Sequence, residues 1–187
     1  HWDSNWAGPM WDAAIFITPH LLYQYSGDTR AIETIYPAAK RYLEYLQTRE
    51  EANGTINHGL GDWLFYKAQT PVDFMATCFY YWDNVLMAQM ARLTGREPEA
   101  APYEAKAEKL KVLINELFFD PEKVCYSNGT QLSYALPLYV GIVPEQYEKR
   151  LAENLNRCIA DNDYSLDFGF IGSLVVPAVL SDYGYAD

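Results

Sequence analysis

Gly8-Pro9-Met10-Trp11-Asp12-Ala13-Ala14-Ile15-Phe16-Ile17-Thr18-Pro19-His20-Leu21-Leu22-Tyr23-Gln24-Tyr25-Ser26-Gly27-Asp28-Thr29-Arg30 decides how the rest of the chain is read. Gly8-Pro9 interrupts the segment before it, Trp11 and Asp12 stand at a helix start, and no charged residue follows until Gly27 stops the helix. Asp28 then stands where it can cap the next one. Pro19 lies inside the first helix, 12–26, and should kink it. A helix with no wet face has to be covered on every side.

The following helix, 29–49, is of the other kind. Ile32, Ile35, Tyr36, Ala39, Tyr42, Leu43 and Leu46 make one apolar stripe, while Glu33, Lys40, Arg41, Glu44 and Gln47 take the opposite face. The alternation of apolar and amphipathic helix then repeats. A loop over 50–69, with Asn53-Gly54, Asn57-His58-Gly59 and Gly61-Asp62-Trp63, leads to Thr70-Pro71-Val72-Asp73, which reads as cap, first-turn proline and first-turn acid. The helix it opens runs apolar and aromatic to residue 93. An amphipathic partner over 98–118 follows, with Tyr103, Ala107, Leu110, Ile114 and Leu117 on one face. A turn-rich connection with a short extended piece at 124–126 leads to an uncharged helix over 130–142. An amphipathic helix from Pro144 through Cys158, a polar loop over 161–165 and a fourth uncharged helix over 170–180 complete the pattern.

Helical hairpins of this kind, with buried helices inside and one-sided helices outside, predict an all-α fold: an α/α toroid of the (α/α)6-barrel type. About seven helices are foreseen against the twelve of a closed six-hairpin ring, so the expectation is a chain that supplies about half of one such domain, residues 1–187, completed by flanking residues.

Composition narrows the function. A net charge of −11 disfavours nucleic acid, and the basic residues lie among acids on outward helix faces. No apolar run reaches the roughly 20 residues of a membrane span. Cys78, Cys125 and Cys158 are far apart and read as structural, and no metal, nucleotide or other cofactor motif occurs. The 16 tyrosines and 5 tryptophans are the anomaly: large amphipathic rings suit an uncharged polar ligand such as a sugar. In a toroid the loops entering the inner helices line one mouth. Asp3, Asn5, Trp6, Trp11, Asp12, Asp62, Trp63, Thr130, Gln131 and Asp167 fall on those loops. Asp12, as cap or ligand contact, Asp62 and the ring platforms Trp11 and Trp63 are the candidate substrate-binding residues. Trp82 and His20 read as core, and Asp73 as a cap. Rings and carboxylates together suit glycoside hydrolysis, in which two carboxyl groups act on opposite sides of the glycosidic bond.

From Met10-Trp11-Asp12-Ala13-Ala14 through Pro19-His20-Leu21-Leu22-Tyr23 to Gly27-Asp28-Thr29-Arg30, the sequence resembles the bacterial α-L-rhamnosidase family. Tyr36-Pro37, Gly61-Asp62-Trp63-Leu64, the Thr130-Gln131 to Tyr134-Ala135-Leu136 helix and Gly169-Phe170-Ile171-Gly172 extend the resemblance over nearly the whole chain. It implies an (α/α)6-barrel catalytic domain that removes terminal L-rhamnose with inversion and without a metal. By the same resemblance, Trp63 lines the rhamnose subsite with Asp62 beside it. The family places a tryptophan two residues before Asp12, where Met10 stands here, so either Met10 or Trp11 faces the sugar. The family's general acid and general base glutamates belong to motifs upstream and downstream that do not occur in this chain, which therefore holds no catalytic residue of its own and as an isolated segment should be inactive. The expected partners are a rhamnose-containing glycoside and the flanking domains of the same parent chain, in a bacterial cytoplasm, periplasm or secreted setting. An α/α-toroid hydrolase acting on another sugar, or a non-catalytic carbohydrate-binding toroid, are the alternatives.

Overall fold

The structure, a computed structural model, describes residues 7–185, so Asp3, Asn5 and Trp6 lie outside the described residues. A short turn, α1 (Pro9–Asp12), leads through Ala13 into α2 (Ala14–Ser26). Then come α3 (Arg30–Gln47), α4 (Val72–Leu93), α5 (Glu97–Phe118), a two-stranded antiparallel ribbon β1 (Phe119–Asp120) and β2 (Cys125–Tyr126), α6 (Gln131–Val140), α7 (Glu145–Ala160) and α8 (Phe170–Asp182). The helix expected over 12–26 thus begins earlier, from Gly8 with Pro9 at the first position, and breaks at Ala13. Asp12 does not cap it: neither α1 nor α2 has a side-chain cap, because Asp12 ends the first turn instead of preceding it. Thr70 is likewise not the cap of α4. Pro71 holds that position and the Thr70 hydroxyl is bonded to Thr130.

The amphipathic stripes seat the outer helices. Ile32, Tyr36, Ala39, Leu43 and Leu46 of α3 are buried, as are Ala100, Ala107, Leu110 and Ile114 of α5 and Leu151, Leu155 and Ile159 of α7. Leu117 is exposed, one turn past the buried face of α5. Each outer helix packs on an inner one: α3 on α2, α5 on α4, and α7 on α6, with α8 against α6. Three hairpins and an inner helix follow in sequence, giving an arc of an α/α toroid.

Burial of the inner helices depends on their place in the arc. In α4 and α6 nearly every turn is buried. In α2 only Phe16 and Pro19 are fully buried, while Ala14, Thr18, Leu21, Leu22 and Tyr25 form an exposed stripe; α8 exposes Phe170, Ser173, Leu174 and Pro177 in the same way. These two helices are the ends of the arc, and among the described residues nothing packs on their outer flanks. The concave face between them holds a groove of about 300 Å³ lined by Ile17, His20, Leu21, Trp82, Tyr139 and Leu174. Trp82 is part-buried there, edge-on to Phe79 and Tyr139. His20 is less settled than a core histidine: one ring nitrogen lies 3.1 Å from the Gln24 amide, but Nδ1 is buried without a hydrogen-bond partner. Cys78 and Cys125 are buried and Cys158 half-buried.

Asp83 is the anomaly within the core. It lies wholly buried in α4, and among the described residues neither carboxyl oxygen has a hydrogen-bond partner. Burial first, and the charge of Asp12 second, push this carboxyl well above the ordinary carboxylate range. The unfolded chain gives up this proton near pH 4, whereas the folded chain holds it to a higher pH. Between those limits the unfolded state binds fewer protons, so this group makes stability fall as pH rises. Asp83→Asn is expected to flatten the fall in thermal midpoint as pH rises above the ordinary carboxylate range of about 4, read by circular dichroism. An unchanged slope would mean that Asp83 is already ionised in the fold.

Candidate functional site

The site begins with two glycines. A Cβ on Gly8 would stand 2.5 Å from the Gly59 Cα, and Gly8 has φ 77°, so only glycine allows this approach. With the Leu60 amide donating to the Ala7 carbonyl at 3.1 Å, the contact fastens the start of α1 to the loop before α4. The α1 turn then points Met10 inward, where it is 3% exposed, and leaves Trp11 half-buried at the surface. Trp11 Nε1 donates to the Gly61 carbonyl at 3.0 Å. Its ring stacks on Phe170 with centroids 5.4 Å apart and meets Trp63 edge-on at 6.4 Å. Of Met10 and Trp11, it is Trp11 that joins the aromatic cluster.

Asp62 and Trp63 are neighbours with opposite fates. The Asp62 side chain is buried, and its oxygens accept from the backbone amides of Gly169 at 2.6 Å, Ile171 at 2.8 Å and Gly172 at 3.1 Å. These are orphan donors at the start of α8, satisfied by a residue more than a hundred positions away. Burial pushes the Asp62 carboxyl up, against the three amides that pull it down. The Phe170 amide donates to the Trp63 carbonyl at 2.8 Å, and a Cβ on Gly169 would stand 2.3 Å from that oxygen. The two backbones are thereby locked together, and the rings of Trp63 and Phe170 are left 47% and 60% exposed.

Asp12 lies beside this cluster, half-buried, with the Tyr42 hydroxyl donating to its Oδ2 at 3.0 Å. Burial raises its carboxyl above the ordinary range, opposed by the Tyr42 hydrogen bond and by the charge of His58. The other polar residues foreseen at the mouth join loops to one another. Asp167 Oδ1 accepts from the amides of Lys67 at 2.7 Å and Ala68 at 3.3 Å, and its own amide donates to Gln131 Oε1. Gln131 Nε2 donates to the Ser165 carbonyl, while Thr130 caps α6 by accepting from the Ser133 amide. Asp73 accepts from the Phe74 amide within the first turn of α4.

The structure thus brings Trp11 and Trp63 together and adds two candidates that sequence reasoning missed, Phe170 against Trp11 and Tyr42 on Asp12. Phe170 was legible only as the first residue of an apolar helix, although it sits in the Gly169-Phe170-Ile171-Gly172 stretch. Tyr42 was legible only as part of the α3 stripe. Asp62 spends both oxygens on backbone amides, and the Asp12 carboxyl is engaged by Tyr42, with its charge felt at the buried Asp83. Hydrolysis of a glycosidic bond takes two working carboxyls. What is assembled here is a cluster of three partly exposed aromatic rings where the loop before α4 meets the start of α8. Among the described residues, no group of three His, Cys, Asp or Glu side chains gathers to hold a metal ion, and no helix is long and apolar enough to cross a membrane.

Inner and outer helices alternating around an arc, with loops gathered at one mouth, define a six-hairpin α/α-toroid domain. Comparison with known proteins makes the class specific. The profile of the bacterial alpha-L-rhamnosidase 6 hairpin glycosidase domain matches residues 2–187, and the chain belongs to that family. It is 30% identical over 178 residues to the alpha-L-rhamnosidase of Streptomyces avermitilis, covering 95% of this chain and 17% of that protein. The alpha-L-rhamnosidase of an Alteromonas species is 26% identical over 194 residues, covering 98% of this chain and 21% of that protein. Among solved structures, the Streptomyces avermitilis alpha-L-rhamnosidase complexed with L-rhamnose superposes with a TM-score of 0.88 at 29% identity, over 95% of this chain and 17% of that one. The native enzyme of Aspergillus terreus superposes with a TM-score of 0.90 at 25% identity, over 100% of this chain and 23% of that one. The chain spans about a fifth of the length of the curated relatives it matches.

Proposed function

We propose that this chain is the sugar-holding arc of an inverting α-L-rhamnosidase catalytic domain. The observation that carries the reading is the cluster of Trp11, Trp63 and Phe170 beside Asp12, at the mouth of a toroid whose relatives are alpha-L-rhamnosidases. L-Rhamnose is a 6-deoxy sugar. Its methyl group and C–H faces suit indole and phenyl surfaces, while its hydroxyls suit a carboxylate such as Asp12. Trp63 and Phe170 act as platforms, Trp11 buttresses both, and Asp62 positions them by holding the start of α8 against the Trp63 backbone.

The exposed stripe on α2 and that on α8 beyond Phe170, at Ser173, Leu174 and Pro177, are the faces onto which the remaining hairpins of the same domain pack, supplied by flanking residues of the parent protein. Those hairpins bring the two glutamates. One, protonated, gives its proton to the leaving oxygen, and the other activates water on the far face of the sugar. The test is release of free L-rhamnose from a chromogenic α-L-rhamnoside by the full-length parent. Turnover supports the reading. Inertness on rhamnosides with turnover of another glycoside would replace the sugar, and inertness with retained sugar binding would make the toroid a binding module.

A further inference from the structure

The orphaned carboxyl of Asp83 and the turn that carries Trp11 and Asp12 belong to one contact. α1 packs against α4, Met10 and Ala13 on either side of Trp11 and Asp12 are buried, and the charge of Asp12 acts on Asp83. From α3, Tyr42 faces both carboxyls: its hydroxyl donates to Asp12 Oδ2 at 3.0 Å, and it feels the charge of each. One turn before Asp83 on α4, the Tyr80 hydroxyl donates to Glu50 Oε1 at 2.8 Å, and Lys106 of α5 pairs with the same oxygen at 2.7 Å. His58 acts on Asp12, while His20 of α2 and Tyr139 of α6 border Trp82 instead.

The phenol hydrogens nearest Asp83 are therefore spent on Asp12 and Glu50, and the Lys106 ammonium is spent on Glu50. A charge on Asp83 would be wholly buried beside a second carboxylate, with neither oxygen bonded. Keeping the proton costs less than burying such a charge. Asp83 is consequently uncharged while α1 is seated, and it ionises where water reaches it. α1 is a single turn tied by the Trp11–Gly61 and Tyr42–Asp12 hydrogen bonds and by the backbone bond of Leu60 to Ala7. Segments so lightly tied open at less cost than the whole fold.

We propose that Asp83 is a positioning residue: its uncharged carboxyl lets α1 seat against α4 and hold Trp11 and Asp12 at the mouth, and its ionisation lifts the turn. Loss of the proton and lifting of α1 are one linked event, so rising pH favours the lifted form. Asp83 touches no substrate. The effect on sugar binding rests on the rhamnosidase reading above, whereas the lifting of the turn does not.

The experiment compares the full-length parent with Asp83→Asn, which has the same shape and no charge to acquire. The dissociation constant of L-rhamnose is measured by calorimetry from about pH 5 to about pH 9. At the acid end the two proteins are expected to agree within about twofold, and at the alkaline end the parent is expected to bind at least about fivefold more weakly than the variant, since one linked proton can weaken binding by up to about tenfold per pH unit. Parallel curves, or a variant weakened equally at every pH, overturn the proposal, because Asp83 would then act through packing alone. Hydrogen exchange of the parent itself needs no variant. After correction for base catalysis, the amides of Trp11, Asp12 and Ala13, bonded to Gly8 and Pro9, are expected to lose protection as pH rises while those within α4 keep theirs. Protection at residues 11–13 that does not change with pH overturns the proposal as well. A parent that binds no L-rhamnose fails the rhamnosidase reading instead, and the exchange measurement then decides the role of Asp83 by itself.

Discussion

Asp62→Ala is expected to destabilise the fold by about 3 kcal/mol, since it strands three buried amide donors at the start of α8. In a domain of this size that is roughly 6–12 °C in thermal midpoint. The same change releases the backbone of residues 62–63 from residues 169–172, so Trp63 and Phe170 lose their register and activity of the parent falls with stability. Asp62→Asn keeps one acceptor oxygen but turns an amide group toward backbone donors, and should fall between. Melting curves followed by circular dichroism decide the matter: an Ala variant that melts with the parent would show that water replaces the carboxylate at the helix start, and that Asp62 is free for another role.

Trp63→Ala separates holding the sugar from holding the fold. The side chain is half exposed and its contribution to the core is small, so the variant should melt within about 2 °C of the parent. Loss of a central aromatic platform is worth about 2–3 kcal/mol in binding sites, which is a roughly 30- to 160-fold fall in kcat/KM on a chromogenic α-L-rhamnoside. Trp63→Phe retains a ring face and should recover most of that loss. Unchanged kinetics in a folded Trp63→Ala enzyme would remove Trp63 from the substrate site and leave Trp11 and Phe170 to be tested alone.

These two expectations bear on neighbouring residues that no local rule separates. Gly-Asp-Trp announces a loop with chemistry in it, and by sequence both Asp62 and Trp63 are candidate substrate-binding residues. The fold turns the carboxylate inward to α8 and the indole outward to solvent. What decides is the partner of Asp62, over a hundred residues away, where three amides need an acceptor. Which of Met10 and Trp11 is buried is likewise a matter of tertiary contacts. Both are large and apolar, and the Gly8–Gly59 approach, the Trp11–Gly61 hydrogen bond and the Phe170 ring together hold Met10 in and Trp11 out.

What the sequence determined by itself was the alternation of uncharged and one-sided helices, the lengths of most of them, and hence the double-layered toroid. The 3.6-residue period acts over neighbouring turns and needs no distant partner to be read. The aromatic and carboxylate character of the mouth was equally legible, because it follows from which residues lie on the loops entering inner helices. Tertiary structure alone decided that α2 and α8 keep open flanks while α4 is enclosed, since an apolar stripe looks the same whether or not a neighbour covers it. It alone stacked Phe170 on Trp11 and bonded its backbone to Trp63, set Tyr42 on Asp12, and left Asp83 buried without a partner among the described residues. Each of those depends on where another helix passes, and desolvation and hydrogen bonding between distant segments cannot be read from the spacing along either one.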